Sequence, residues 1–296
     1  MGDKGLGAWA ANLVLVSIFA VAGLVPYRWR VPLIGWITAN VLAPLTGRHR
    51  IAIDNLALAC PDLPPARTRR IARRAADNAG RTMIEMYAGA PFLRRARRAP
   101  MTGPGVEVLE AARQAGRPII AISGHFGNYH VCRVAFSEAG HSVGSLYRPM
   151  ANPYINRHYA AHLEALSKPN FVQSRRGMGG MIRHLRRGNM LALLSDQRDA
   201  NGAPLRFFSH PALTPLSAAE LALKYDALLI PAYGIRQENG LDFEVRLELP
   251  IAHSDPQTMM QDFLDGLEAM VRRHPEQWLW MHRRWLMEPV RPDSAG

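Results

Sequence analysis

The chain is expected to fold as an α/β protein: a mostly parallel central sheet flanked by helices, with an N-terminal transmembrane or monotopic anchor helix. Three observations predict this. Short apolar runs at 119–122, 143–146, 190–194 and 228–232 alternate with helical stretches, the rhythm of a parallel sheet covered on both faces. From Gly7 to Val25 no residue is charged, and Asn12 and Ser17 are the only strongly polar side chains. With 296 residues, 48% of them hydrophobic, the chain is long enough to bury a full core.

Taken in order, the segment 7–25 would be roughly 28 Å long as a helix, about the thickness of a bilayer's hydrocarbon core. Lys4, balanced by Asp3, precedes it, whereas Arg28, Arg30, Arg48 and Arg50 follow, which sets the C-terminal side in the cytoplasm. Pro26-Tyr27-Arg28-Trp29-Arg30 reads as an interfacial anchor, not as the small-residue cleavage site of a signal peptide. Residues 31–46 are apolar but interrupted by Pro32 and Pro44, so they are expected to lie in the interface or pack on the soluble domain. Residues 66–86 have helical periodicity, with Ile71, Ala75, Ala79, Met83 and Met86 near one face. Arg67, Arg69, Arg70, Arg73, Arg74 and Arg81 lie on the other, either a solvated face or one facing anionic lipid. Beyond Gly103-Pro104-Gly105 the strand–helix alternation begins. Residues 243–249 alternate apolar and charged, as an edge strand with one wet face would. An amphipathic helix over 256–273 and the tryptophan-rich stretch 277–285 close the domain.

The net charge of +12, nearly all of it arginine, suits polyanions: anionic lipid, phosphorylated substrates, an acidic carrier protein or nucleic acid. No nucleic-acid-binding module is recognisable, so no nucleic-acid role is expected. Cys60 and Cys132 make neither a disulfide framework nor a C-x-x-C pair.

The chemistry is expected at Ser123-Gly124-His125-Phe126-Gly127-Asn128-Tyr129-His130, where a buried strand runs into a helix, the usual ligand crevice of an open α/β sheet. Gly124 and Gly127 let the backbone turn sharply around His125, whose ordinary pKa suits a general base. His130 lies five residues on. In one continuous helix the two rings would be roughly 140° apart, so they meet only if His125 sits in the turn before it. Asp196 ends the strand 190–194 and would point into the same crevice, or else serve as an ordinary cap. Arg148, after another strand, and Arg175 and Arg176, before a helix, are placed to hold an anion. Gly177-Met178-Gly179-Gly180 follows arginines and not a strand, His158 and His162 lack the glutamate of a zinc protease motif, and His125, His130 and Cys132 lack a fourth ligand. No metal site is expected.

Gly124-His125-Phe126-Gly127-Asn128-Tyr129 resembles the active-site block of the bacterial lipid A biosynthesis (late) acyltransferases, within the lysophospholipid acyltransferase superfamily. The likeness continues through Tyr147-Arg148-Pro149, Asn152-Pro153, Asp196-Gln197, Phe207-Phe208, Pro211, Thr214-Pro215 and Gln277-Trp278-Leu279-Trp280 to His282-Arg283-Arg284-Trp285. It covers roughly residues 8 to 286 in the family's order and spacing. It implies a bacterial inner-membrane enzyme, catalytic domain on the cytoplasmic side, with no cofactor. Such an enzyme moves a fatty acyl chain from acyl carrier protein or acyl-CoA to a hydroxyl of a lipid acceptor. Residues 1–47 would form the anchor and interfacial segment, 48–290 the α/β acyltransferase domain and 291–296 a tail. His125, His130 and Asp196 are the expected catalytic residues; Gly127, Asn128, Arg148, Arg175, Arg176 and Gln197 are expected to bind substrate. The family's base and orienting acid are spaced H-x-x-x-x-D/E, and here the acid position is His130. His130 relays the proton, another carboxylate such as Asp196 takes over, or the protein is a weakened, lipid-binding relative.

Overall fold

The computed structural model describes residues 5–285; the tail at 291–296 lies outside the described residues. Nine strands are present among the described residues: β1 (Met101–Thr102), β2 (Ile119–Ser123), β3 (Val143–Tyr147), β4 (Asn170–Val172), β5 (Met190–Leu194), β6 (Ala203–Phe207), β7 (His210–Thr214), β8 (Leu228–Arg236) and β9 (Phe243–Leu247). Seven form one sheet in the order β1-β9-β8-β2-β5-β3-β4, parallel throughout except for the antiparallel pair β8–β9. All five residues of β2 are buried, as its uninterrupted apolar run requires of a strand covered on both faces. Its register sets Ser123 beside Leu194, so the two chains leave the sheet together, and Asp196 is carried to the same edge as His125.

Two separate apolar clusters cover the sheet. One holds the helices Arg48–Ala59, Ser217–Tyr225 and Pro256–Arg273 with Trp278, Trp280 and Trp285. The other holds the helices Ala90–Arg97, Val106–Gln114 and Tyr129–Glu138. The strand expected at the edge, 243–249, alternates buried and half-buried residues as predicted. It is not the edge, however, because the short β1 pairs alongside it. The hairpin β6–β7 turns through Phe208 (φ 49°) and Ser209 (φ 62°), both left-handed, as a two-residue hairpin turn demands.

The apolar N-terminal segment is a helix, Leu6–Leu24, long and apolar enough to cross a membrane and with none of its apolar window buried. Phe19 stacks on Tyr87 at 4.2 Å, and the Asn152 amide donates to the Ala8 carbonyl at 2.8 Å, which ties this helix to the domain. The next segment packs on the domain, one of the two outcomes expected of it. Helix Tyr27–Ile37, continued through a π-helical turn at Thr38–Leu42, packs tightly on helix Pro65–Met86. A Cβ on Gly35 would meet the Asp77 carboxylate at 2.5 Å, and one on Gly80 would meet the Thr38 hydroxyl at 2.3 Å. Its other side leaves Trp29, Leu33, Trp36, Leu42 and Leu45 exposed. On helix Pro65–Met86, Arg67, Arg69, Arg70, Arg73 and Arg74 face solvent, whereas Arg81 is half-buried against Asp77 at 2.5 Å.

Candidate active site

β2 ends at Ser123 and the chain bends through Gly124–Asn128 into helix Tyr129–Glu138. Gly127 has φ +55°, and a Cβ there would lie 1.9 Å from the Gly234 carbonyl oxygen, so glycine alone fits. The bend is pinned from two sides. Gly127 N–H donates to the Gln277 carbonyl and Asn128 N–H to the Gly234 carbonyl, each at 2.8 Å. The Gly127 carbonyl accepts from Asn78 Nδ2 at 3.0 Å and from the Thr82 hydroxyl at 2.9 Å. Asn128, expected to meet substrate, is fully buried with both amide ends engaged inside the protein. Its Oδ1 caps the helix at His130 N–H, 3.1 Å away, and its Nδ2 donates to Glu85 at 2.7 Å. It therefore belongs to the scaffold of the bend.

The bend presents His125 to Asp196. His125 Nδ1 lies 2.7 Å from Asp196 Oδ1, and the His125 backbone N–H donates to Asp196 Oδ2 at 2.8 Å. Trp278 Nε1–H donates to the same Oδ2 at 2.9 Å. Burial alone would raise the Asp196 pKa. The His125 charge and the three donors outweigh it and hold the carboxyl at about 2, so it is ionised at any working pH. An ionised Oδ1 at hydrogen-bond distance fixes the proton of neutral His125 on Nδ1 and leaves a lone pair on Nε2. The His125 residue lines both cavities, and the Gln197 amide nitrogen lies 3.4 Å from its Nε2.

His130 does not stand where an orienting acid would. Its side chain is 94% buried in the first turn of the helix, and its Nδ1 has no hydrogen-bond partner among the described residues. Burial, followed by the nearby charges of Arg133 and His125, pushes its pKa down to about 3. It is a neutral wall of the site at working pH, and the imidazole of His125 is oriented by Asp196.

Two cavities meet at these residues, sharing His125, Tyr129, His130 and Tyr159 in their walls. One, about 370 Å³, is apolar; Leu15 and Phe19 of the N-terminal helix, Met83 and Met86 of helix Pro65–Met86, and Leu279 line it. Gly127 borders it too. The other, about 610 Å³, is more polar and includes Arg148, Gln173, Gln197 and Arg198. Both volumes lie in the range of small-molecule sites. Arg148 and Gln197 thus reach the crevice as expected. Arg175 and Arg176 do not line it: they are exposed in the first turn of the helix Arg175–Arg186, just beyond the cavity residue Gln173. Among the described residues no group of three or more His, Cys, Asp or Glu side chains could hold a metal ion.

Sequence reasoning singled out neither Trp278 as a donor to Asp196 nor Glu85 and Arg236. Arg236 grips Glu85 through both guanidinium ends at 2.6 and 2.7 Å and donates to Asn78 at 2.7 Å, directly behind the bend. A lone glutamate inside an arginine-rich helix, with a tyrosine, an asparagine and a distant arginine as its eventual partners, carries no local signal of burial.

The pairing of a strand-end histidine with a buried carboxylate, at the meeting of an apolar and a polar cavity, agrees with what the chain is similar to. A family model described as bacterial lipid A biosynthesis acyltransferase matches residues 4–287. The lipid A biosynthesis lauroyltransferase of Escherichia coli K12 is 25% identical over 82% of this chain and 80% of its own length. The phosphatidylinositol mannoside acyltransferase of Mycobacterium tuberculosis H37Rv is 22% identical over 62% of this chain and 60% of its own. The lipid A biosynthesis acyltransferase 2 of Shigella flexneri is 23% identical over 60% and 58%. Fold, site and a match that runs nearly end to end agree: the chain belongs to the bacterial lipid A biosynthesis acyltransferase family.

Proposed function

We propose that this protein is a membrane-anchored enzyme that moves a fatty acyl chain from acyl carrier protein, or acyl-CoA, to a hydroxyl of a lipid A precursor. The observation that carries the proposal is the His125 ring, oriented through Nδ1 by Asp196, in the wall that the apolar and polar cavities share. The acceptor hydroxyl takes the position now facing the Gln197 amide and gives its proton to His125 Nε2 as its oxygen attacks the thioester carbonyl carbon. The carbonyl π pair moves onto oxygen. When it returns, the C–S bond breaks, the thiolate leaves, and the His125 imidazolium protonates it. An ester and a free thiol result, with no covalent enzyme intermediate.

The apolar cavity suits the acyl chain, since its walls include the membrane helix itself. The polar cavity suits the head of the donor. Arg148 lines it, Arg175 and Arg176 stand beyond it, and from Ala139 to Ser195 the sole carboxylate is Glu164, which favours an acidic carrier. The anchor at 1–47, with exposed Trp29, Leu33 and Trp36, supports an inner-membrane position, and the positive flank supports a cytoplasmic face for 48–290. The mycobacterial relatives favour one second reading, in which the acceptor is another lyso-lipid with a sugar or phosphate head. A weakened, lipid-binding role draws its support from His130, and that support falls away once Asp196 supplies the carboxylate.

The test is to incubate purified protein in detergent with acyl carrier protein thioester or acyl-CoA and either lipid A precursors or lysophospholipids, and to weigh the products. His125-dependent acylation of the lipid A precursor supports the proposal. Acylation of lysophospholipid alone moves it to the second reading, and thioester left intact by the unaltered protein refutes both.

A further inference from the structure

His130 occupies the position at which the family's pattern has an acid, yet the acid's work at His125 is already done. Both oxygens of Asp196 are engaged, one by the ring and one by two further donors, so nothing is left for a second orienting group to do. What His130 offers instead is a buried, uncharged ring in the wall that both cavities share, with its Nδ1 buried and without a partner among the described residues. The Tyr129 ring links it to the base: its centroid is 5.1 Å from that of His125 and 4.4 Å from that of His130.

The surroundings of that ring are electropositive. It sits in the first turn of a ten-residue helix, whose backbone dipole favours negative charge in front of it. The Arg133 guanidinium lies behind, held by Ser167 Oγ at 2.8 Å and by Asn170 Oδ1 at 2.5 Å, with no carboxylate among its partners. The other titratable groups in the wall shared by both cavities are His125, Tyr129 and Tyr159; Asp196 pairs with His125, and Asp199 lines the polar cavity alone. No anionic side chain belongs to the shared wall. A carboxylate there would repel charge building up on a substrate oxygen; a neutral imidazole can donate to it. A histidine kept neutral near a helix N-terminus is a known means of polarising a carbonyl.

We propose that His130 donates a hydrogen bond to the thioester carbonyl oxygen as that oxygen becomes an oxyanion, so that it belongs to the oxyanion site and carries no proton between substrates. This rests on the acyl-transfer reading above. No proton is lost or gained by His130 in the step: the hydroxyl proton passes to His125 and on to the leaving thiolate, while the bond from His130 forms, tightens and relaxes.

The experiment compares His130→Leu, His130→Gln and His130→Asn with the unaltered enzyme, using an acyl thioester donor, with melting temperature as the check on folding. Loss of one oxyanion donor is expected to lower kcat by about 100-fold in His130→Leu and to leave KM within about threefold. His130→Gln or His130→Asn, which keep a neutral donor, should recover at least about tenfold of that loss, with the acid limb of the pH–rate profile unmoved because His130 transfers no proton. Full kcat in His130→Leu overturns the proposal, as does failure of both amides to exceed a folded leucine variant or an acid limb that moves in His130→Gln. Should the leucine variant not fold, an amide variant within about tenfold of the unaltered enzyme with an unmoved acid limb supports the proposal, and a greater loss in both amides overturns it. An unaltered enzyme that transfers no acyl group would refute the reaction itself, a separate result.

Discussion

The bend around His125 rests against two buried carboxylates, and they do different work. Glu85 is fully buried and held in a two-pronged grip by Arg236, with Asn128 as a further donor. Asp196 is nearly as buried, but its partners are an imidazole, a backbone N–H and an indole, none of them a permanent cation. The first pair is neutralised within the protein, and neither partner lines the cavities around His125, so its field is spent on holding the bend. The second carboxylate has no fixed counter-charge; its field becomes useful when His125 takes a proton. In the proposed reaction, what separates the two acids is whether the partner's charge can change.

The largest effect should come from Asp196→Asn. An amide cannot hold the Nδ1–H tautomer or stabilise the imidazolium, so kcat is expected to fall about 10³- to 10⁴-fold with substrate binding little changed, measured as thioester consumption. Glu85→Gln should reverse the pattern. It strands the Arg236 guanidinium in a dry interior and is expected to cost about 3–5 kcal/mol in denaturant unfolding, while the folded fraction keeps its turnover. If Glu85→Gln stayed stable and lost activity, the contrast would fail.

Acid should separate the two further. Asp196 has its pKa lowered from 3.8 to about 2 in the folded state, so the stability it contributes is complete above pH 4 and is lost as pH falls toward 2. Melting temperature followed over that window should drop less steeply in Asp196→Asn than in the unaltered chain. The smallest effect is expected for Trp278→Phe, which removes one of three donors to Asp196 and keeps the ring packing. About 1–2 kcal/mol of stabilisation of the carboxylate, near tenfold in rate, should be lost.

Much of this was legible in the residues. The uninterrupted apolar runs of β2 and β8 announced strands buried on both faces, and the ends of β2 and β5 in register explain why His125 and Asp196 could be paired in advance. The hairpin β6–β7 escaped because Pro204 and Pro211 interrupt an already short alternation, and β1 and β4 are too brief to show a period at all. Trp278 escaped for another reason. It reaches Asp196 from 82 residues further along, and a tryptophan in an apolar stretch carries no sign that its N–H will meet a carboxylate. His130 was visible as a departure from the family's spacing, but the lack of a partner at its Nδ1 among the described residues is a property of packing alone.

The central claim, that Asp196 acts through His125, is tested most directly by a double-mutant cycle in single-turnover acyl transfer with His125→Ala, Asp196→Asn and the two combined. The account predicts that the double variant is no slower than His125→Ala alone, because without the imidazole the carboxylate has nothing to orient. Losses that multiply would contradict it, since Asp196 would then serve the reaction independently of the histidine it touches.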